Sequence, residues 1–473
     1  WQMGEKPSDR ATTVTACVPA SPVSRRGTTL LCEQLEQSAG LGRGTAFLGM
    51  PTDPHPDLDG PDWTCDRREF FSPQGQLQLP PHLGQRSGQG LDPCAALARR
   101  VTLRPNQRLT QVFVLGYAAT PDAAAELAAS AMQEQPEQRE STVACAWDAV
   151  RDSCVVSTPD PLFDALVNHW LLYQTLSSRL WAKAGYYQAG GATGFRDQLQ
   201  DAMALAWARP DLLRNQIVLA ASRQFEAGDV QHWWHMPGGA GVRTHFSDDL
   251  LWLPFACAHF LRTTGDATLL DTVVPFLAAA AIPDGAEDSY TTPTVSDTQA
   301  TVYEHGARTI DHSLRVGAHG LPLMGTGDWN DGMNRVGHAG HGESVWLAWF
   351  LCTIAADWIP LARSRHEPER AARWEAALAG WQAALDGPAW DGAWYTRAFF
   401  DDGSPLGSHA NDEARIDLLA QAWAVLSGVA PAARQQQAMA SVEAHLVDPQ
   451  AGLIQLLAPP LAHAKPSAGY IQA

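Results

Sequence analysis

Two aspartates flank an indole in the run Gly327-Asp328-Trp329-Asn330-Asp331-Gly332. The glycines on either side let the backbone come close to a ligand. A carboxyl group beside an apolar ring loses hydration, so its pKa rises and it stays protonated near neutrality. That is the state a general acid needs in order to protonate a glycosidic oxygen. Aspartates at such positions also serve as turn and cap residues, and spacing alone favours that plainer role.

Two further segments carry charge and aromatics in a glycine-rich setting. Arg196-Asp197, followed by Gln200 and Asp201, opens a helical pattern. Asp197 there either caps the helix and complements its dipole or accepts from sugar hydroxyls. His232-Trp233-Trp234-His235 has the H-x-x-H spacing, but no third ligand or H-E-x-x-H accompanies it, so no metal is expected. A stacking platform or a packed loop fits it better. Arg243, Asp248 and Asp249 read as loop ion pairs and a helix cap. Glu304-His305 is open between a buried pair and a supporting role. The chain has no Walker loop, dinucleotide fingerprint or G-x-S-x-G elbow.

These segments sit between elements whose period changes once along the chain. Before about residue 150 the sequence is rich in proline, glycine and turn signals. Short alternating runs at 100–103 and 110–115 predict antiparallel strands there. A helix is expected over 120–133, with Pro121 in its first turn. From about Asp160 apolar residues recur at helical spacing: Leu162, Phe163, Leu166, Trp170, Tyr173, Leu176 and Leu180. Similar stretches follow to about residue 446, with no strands expected between them. The predicted fold is therefore α+β and multidomain. An antiparallel sheet domain over 1–150, ending in a helical linker, precedes an all-helical domain over 160–473. The loops 190–201, 232–249 and 325–337 are longer and richer than ordinary helix connections, and loops on a rigid scaffold are where sites form.

Composition narrows the function classes. Of the 473 residues 45% are hydrophobic and 18% charged, as in a globular protein. The formal charge of -18 argues against nucleic acid or an anionic membrane as partner. Eighteen tryptophans favour a sugar-binding protein slightly, although most are expected in the core. The eight cysteines are scattered, which suits reduced thiols and a cytoplasmic protein. No secretory leader is recognisable. The apolar run 345–362 reads as a buried helix rather than a membrane span.

The stretches YYQAGGATGFRDQLQDAMAL, VQHWWHMPGGAGVRTHFSDDLLWLPFACAHFLRTTGD and GLPLMGTGDWNDGMNRVG, in this order, resemble glycoside hydrolase family 94, the cellobiose/chitobiose phosphorylase family. They are similar to the carboxy-terminal phosphorylase module of cyclic β-1,2-glucan synthetases and to 1,2-β-oligoglucan phosphorylases. The resemblance implies an N-terminal β-sandwich, a helical linker and an (α/α)6 barrel. It implies inverting phosphorolysis of a β-linked gluco-oligosaccharide. One carboxylic acid protonates the leaving oxygen and inorganic phosphate, the co-substrate, attacks the anomeric carbon; no other cofactor is implied. On that resemblance Asp331 is the proton donor, Trp329 and Asp197 hold the donor sugar, and Arg179 faces sugar or phosphate. Arg196 and Trp234 join them as substrate-binding residues. Gly191 stands where some family members carry a further arginine. Members continue past a segment like Gly469-Tyr470-Ile471-Gln472 into phosphate-binding residues, so a barrel incomplete at its carboxy-terminal end is expected. Three alternatives stay open: an inverting hydrolase on the same barrel, a glycan-binding or chain-length module, and a homodimer against part of a larger synthetase as the assembly. The hydrolase needs a second carboxylate about 6.5–9.5 Å from Asp331.

Overall fold

The structure is a computed structural model and describes residues 15–19, 27–34, 44–51, 59–181, 192–236 and 238–472. The chain divides into two units, one holding the described residues up to Pro159 and the other holding most of those from Asp160 onward.

In the first unit the alternating segments pair as antiparallel strands. Thr15–Pro19, Gly27–Gln34, Thr45–Pro51 and Val114–Ala118 form one sheet in that order. Asp62–Asp66 pairs with Pro93–Ala98 in a second. Leu31 and Phe47 of the larger sheet pack on Ala124 and Ala128 of the helix Pro121–Gln133. That helix begins where the sequence predicts. Thr120 accepts from the Ala123 N–H at 3.2 Å and Pro121 fills the first turn. The helix Pro136–Arg151 follows.

Two expected strands differ. Residues 100–103 form none, because Arg104-Pro105-Asn106-Gln107 makes a tight turn with Asn106 at φ 66° and the Gln107 N–H on the Arg104 carbonyl. Leu103 is left exposed. The run 110–115 joins its sheet only from Val114.

In the second unit helices dominate: Phe195–Ala202, Pro210–Ala221, Trp252–Thr264, Val302–His312, Val345–Ser364, Pro368–Asp386, Leu418–Leu426 and Ala432–His445. Val345–Ser364 is the one described helix long and apolar enough to cross a membrane by length and composition, but 72% of its apolar window is buried inside the protein. It is a core helix. Ser344 caps it by accepting from the Leu347 N–H at 3.1 Å. Its Trp346 and Phe350 pack with Trp252, Phe255 and Trp423. Trp234, Trp346, Trp349, Trp358, Trp374 and Trp381 are each less than 2% exposed, so much of the tryptophan content fills the core.

Strands also occur after residue 160, contrary to the sequence reading. Asp288–Thr291, Gly241–Thr244, Gln231–His235 and Ala192–Gly194 make a four-stranded sheet in that order. Val273–Ala278 pairs antiparallel with Thr294–Thr301. Most of these strands have three to six residues, too few to display a period of two, and they lie in loops rich in glycine, histidine and charge.

Candidate active site

The loop that carries Asp331 is fixed from below before its chemistry begins. Gly325 has φ 65°, and a Cβ there would lie 2.1 Å from the His245 carbonyl oxygen, so no other residue fits. Asp328 points inward and is fully buried. It accepts from Arg397 through both carboxylate oxygens, at 2.7 and 2.6 Å, and from the Ser344 hydroxyl at 2.7 Å. Burial pushes its carboxyl up, but Arg397 and Ser344 prevail and hold it below the usual range. A carboxylate sealed in this way is structural.

Asp331 takes the opposite side. The Asn330 side chain accepts from the Gly332 N–H at 3.1 Å and starts the short turn Asp331–Met333, leaving the Asp331 carboxyl 34% exposed. Its Oδ1 accepts from Arg196 Nη2 at 2.9 Å, and its Oδ2 lies 3.9 Å from His232 Nε2. The carboxyl therefore sits between a guanidinium and an imidazole, a polar seat in place of the desolvating one the sequence suggests.

Arg196 and His232 are held by carboxylates from a third segment. Arg196, on the helix Phe195–Ala202, donates from Nη1 to Asp248 Oδ2 at 3.1 Å. Asp248 also accepts from Trp252 Nε1 at 3.1 Å. Burial pushes the Asp248 carboxyl up to about 7, with Arg196 opposing. His232 Nδ1 lies 2.7 Å from Asp249 Oδ2, and the Phe246 ring meets the imidazole edge-on at 4.8 Å. Burial disfavours the imidazolium, yet Asp249, and then Asp331, raise His232 to about 9.

The loops 190–201, 232–249 and 325–337 thus converge, through Arg196, His232 and Asp331. Arg179, from the turn Thr175–Leu180, pairs with Asp201 and lies 3.9 Å from Asp197 Oδ2. Arg196 Nε lies 3.9 Å from the other oxygen of Asp197, which remains about half exposed. Trp329 is half-buried. One expected sugar contact needs correcting. Trp234 has no exposed surface, because its side of the strand Gln231–His235 faces the interior, so it packs and cannot stack on a sugar. Arg196 is 10% exposed, and its terminal nitrogens donate to Asp248 Oδ2 and Asp331 Oδ1. Gly191 lies outside the described residues. The sequence brought out His232 and Asp249, the latter as a loop ion pair or cap, but gave neither a role beside Asp331; Arg397, which lies in no motif, was missed.

The segment Gly469–Gln472 lies against the same loop. Asn334 Oδ1 accepts from the Tyr470 N–H at 3.3 Å, and the Arg335 N–H donates to the Ala468 carbonyl at 3.1 Å. Partial burial, and then the charge of Asp331, raise the Tyr470 hydroxyl above its ordinary value. A cavity of about 510 Å³ lies elsewhere, among Asp229, Arg243, Phe246, Asp249 and Thr326. It shares Asp249 with this cluster, but Asp331 does not line it.

Residues 146–473 match the catalytic domain of the Glycosyl hydrolase 94 superfamily, and residues 5–134 match the Glycosyl hydrolase 94 supersandwich domain. The chain belongs to this superfamily. Among glycosyl hydrolase 94 relatives, it is 43% identical to the cyclic beta-(1,2)-glucan synthase NdvB of Rhizobium meliloti, over 88% of this chain and 15% of that protein. It is 32% identical to a solabiose phosphorylase of Paenibacillus borealis, over 80% of this chain and 46% of that one. A 3-O-beta-D-glucopyranosyl-beta-D-glucuronide phosphorylase of the same organism is 29% identical, over 88% and 52%. The chain spans about half the length of these two phosphorylases and less of the synthase. A bacterial glucoamylase solved with acarbose shares the fold, with a TM-score of 0.51 at 12% identity over 91% of this chain and 66% of that one. The architecture is thus a supersandwich domain followed by an (α/α)6-type catalytic domain, the latter holding every charged residue of the Asp331 cluster.

Proposed function

We propose that this chain carries the acid–base centre of an inverting phosphorylase that acts on β-linked gluco-oligosaccharides, β-1,2-linked ones first, and releases a sugar 1-phosphate. The observation that carries the proposal is the seat of Asp331. It is the partly exposed carboxyl at the meeting point of three motif loops, in the catalytic domain of a superfamily that includes phosphorylases. In phosphorolysis Asp331 gives a proton to the leaving glycosidic oxygen while phosphate attacks the anomeric carbon from the opposite face. Phosphate stands in for the water and the base of an inverting hydrolase, so one protein carboxyl suffices. Asp197 and Trp329 hold the donor sugar, and Arg179 draws sugar or phosphate. The identity to a cyclic beta-(1,2)-glucan synthase supports the linkage and a place within a larger synthase. The scattered spacing of the eight cysteines supports a cytoplasmic setting.

The test is to incubate the full-length protein with β-1,2-gluco-oligosaccharide, with and without phosphate, and to score glucose 1-phosphate. Phosphate-dependent glucose 1-phosphate is expected. Free glucose made equally without phosphate points to a hydrolase. Bound glycan with no product points to a binding or chain-length module.

A further inference from the structure

We infer that His232, oriented by Asp249, is the positioning residue and proton partner of Asp331. The inference rests on the reading of Asp331 as the acid.

The geometry fixes each proton. His232 Nδ1 lies 2.7 Å from Asp249 Oδ2, so Nδ1 carries a hydrogen and donates it to the carboxylate. The other oxygen of Asp249 is buried and has no hydrogen-bond partner among the described residues, so the carboxylate is committed to the imidazole. Phe246 fixes the ring plane at 84° to its own. Nε2 is then directed toward Asp331 Oδ2, 3.9 Å away. That gap exceeds a hydrogen bond by about 1 Å, a distance that closure around a substrate commonly removes. Arg196 occupies Oδ1, which leaves Oδ2 as the oxygen free to gain and lose a proton.

Groups from every neighbouring element bear on the imidazole. Asp249 comes from the turn Asp249–Leu251, Asp331 from the turn Asp331–Met333, and Arg196 from the helix Phe195–Ala202. While Asp331 is a carboxylate, it and Asp249 outweigh burial and the guanidinium, so His232 is then an imidazolium at neutral pH. After Asp331 has protonated the leaving oxygen it is a carboxylate. The Nε2–H bond of His232 then breaks, an O–H bond forms at Asp331 Oδ2, and the neutral imidazole regains a proton from solvent. In the synthetic direction the imidazolium first gives its Nε2 proton to solvent, and the acceptor hydroxyl proton then passes to Asp331 and on to the imidazole. No electrons are exchanged and no other reactant is needed.

Two measurements on the full-length protein test this. The first is the pH profile of phosphorolysis in His232→Gln and Asp249→Asn, the second variant covering any loss of folding in the first. The expected result is a kcat lowered by about 10–100-fold, the usual range for an orienting partner, with KM little changed and the alkaline limb of the profile shifted. A fall in kcat with an unmoved pH profile means a packing role and overturns the inference. The second is NMR titration of the His232 imidazole in the wild type and in Asp331→Asn. Loss of the neighbouring charge is expected to lower the titration midpoint. An identical midpoint in both overturns the inference whatever the enzyme does. If the wild type makes no sugar 1-phosphate yet the midpoint shifts, the phosphorylase reading fails while the coupling of His232 to Asp331 stands.

Discussion

Asp328 and Arg397 form a two-pronged ion pair, both side chains at most 1% exposed, directly beneath the loop that presents Asp331. The pair ties that loop to the strand Ala398–Phe399 and its partners. Removing one member of such a pair leaves an uncompensated buried charge, which costs about 3–5 kcal/mol. Arg397→Met is therefore expected to lower unfolding stability by about that amount in a denaturation series. An Asp328→Asn, Arg397→Met double variant is expected to recover part of it. A single variant as stable as the wild type contradicts the arrangement.

The two aspartates of the loop should separate cleanly by mutation. Asp331→Asn keeps the size and shape of the side chain but has no titratable proton. Phosphorolysis is expected to fall by about 10²–10⁴-fold, the usual worth of a general acid, with the melting temperature little changed. Asp328→Asn is expected to lower the melting temperature as well as activity, because it disrupts the Arg397 contact. Comparing kcat with melting temperature for both variants checks this. An active Asp331→Asn refutes the assignment.

The buried charges set a pH dependence of stability. His232 rises from 6.5 to about 9 on folding, so the folded state holds its proton more tightly. Its contribution is complete below about 6.5 and is lost as pH rises toward 9. Burial raises Asp248 to about 7 and Asp417 to about 6, from 3.8. Their contributions have the same sign and are lost as pH rises through those values. Asp328 is lowered, so its contribution is lost on acidification. Melting temperatures from pH 4 to 10 are expected to peak on the mildly acidic side. His232→Gln should flatten the decline above pH 6.5.

Gly469 has φ 128°, and a Cβ there would lie 2.2 Å from Asn334 Oδ1 and 2.6 Å from the Gly332 carbonyl. Gly469→Ala is thus expected to lift residues 468–472 from the Asp331 turn. Hydrogen exchange at the Tyr470 amide, which donates to Asn334, should accelerate if this holds. Unchanged exchange means that the segment does not bear on the loop.

The sequence made the residue types of the site legible but not their partners. Asp331 stood out through the family resemblance, since spacing alone favoured a turn or cap role. Apart from that resemblance nothing in the sequence distinguishes it from Asp328, yet one is sealed and the other open. That difference comes from Arg397, which lies 69 residues beyond Asp328 in no motif. The His232-Trp233-Trp234-His235 run was visible as a unit, but its faces depend on strand register. Trp233 pairs with Val242 and Trp234 with Gly241, which turns Trp234 into the core. The helices were legible from their period, and Thr120-Pro121 marked the start of one. The strands between 192 and 301 were not, because pairing between distant segments creates them.

The Asp331 loop is held by Arg196 from 135 residues upstream of Asp331, by Arg397 from 69 residues beyond Asp328, and by the Tyr470 amide, 136 residues beyond Asn334. Each of these contacts closes a long stretch of chain, and the entropy of closure must be met before the contact can form. Helices such as Val345–Ser364 need only neighbouring residues. The expected order during folding is helical segments first and the Asp331 cluster last. A chain that has regained its helix content therefore still lacks the assembled Asp331 cluster, and protection of the Tyr470 amide should trail recovery of the helical signal.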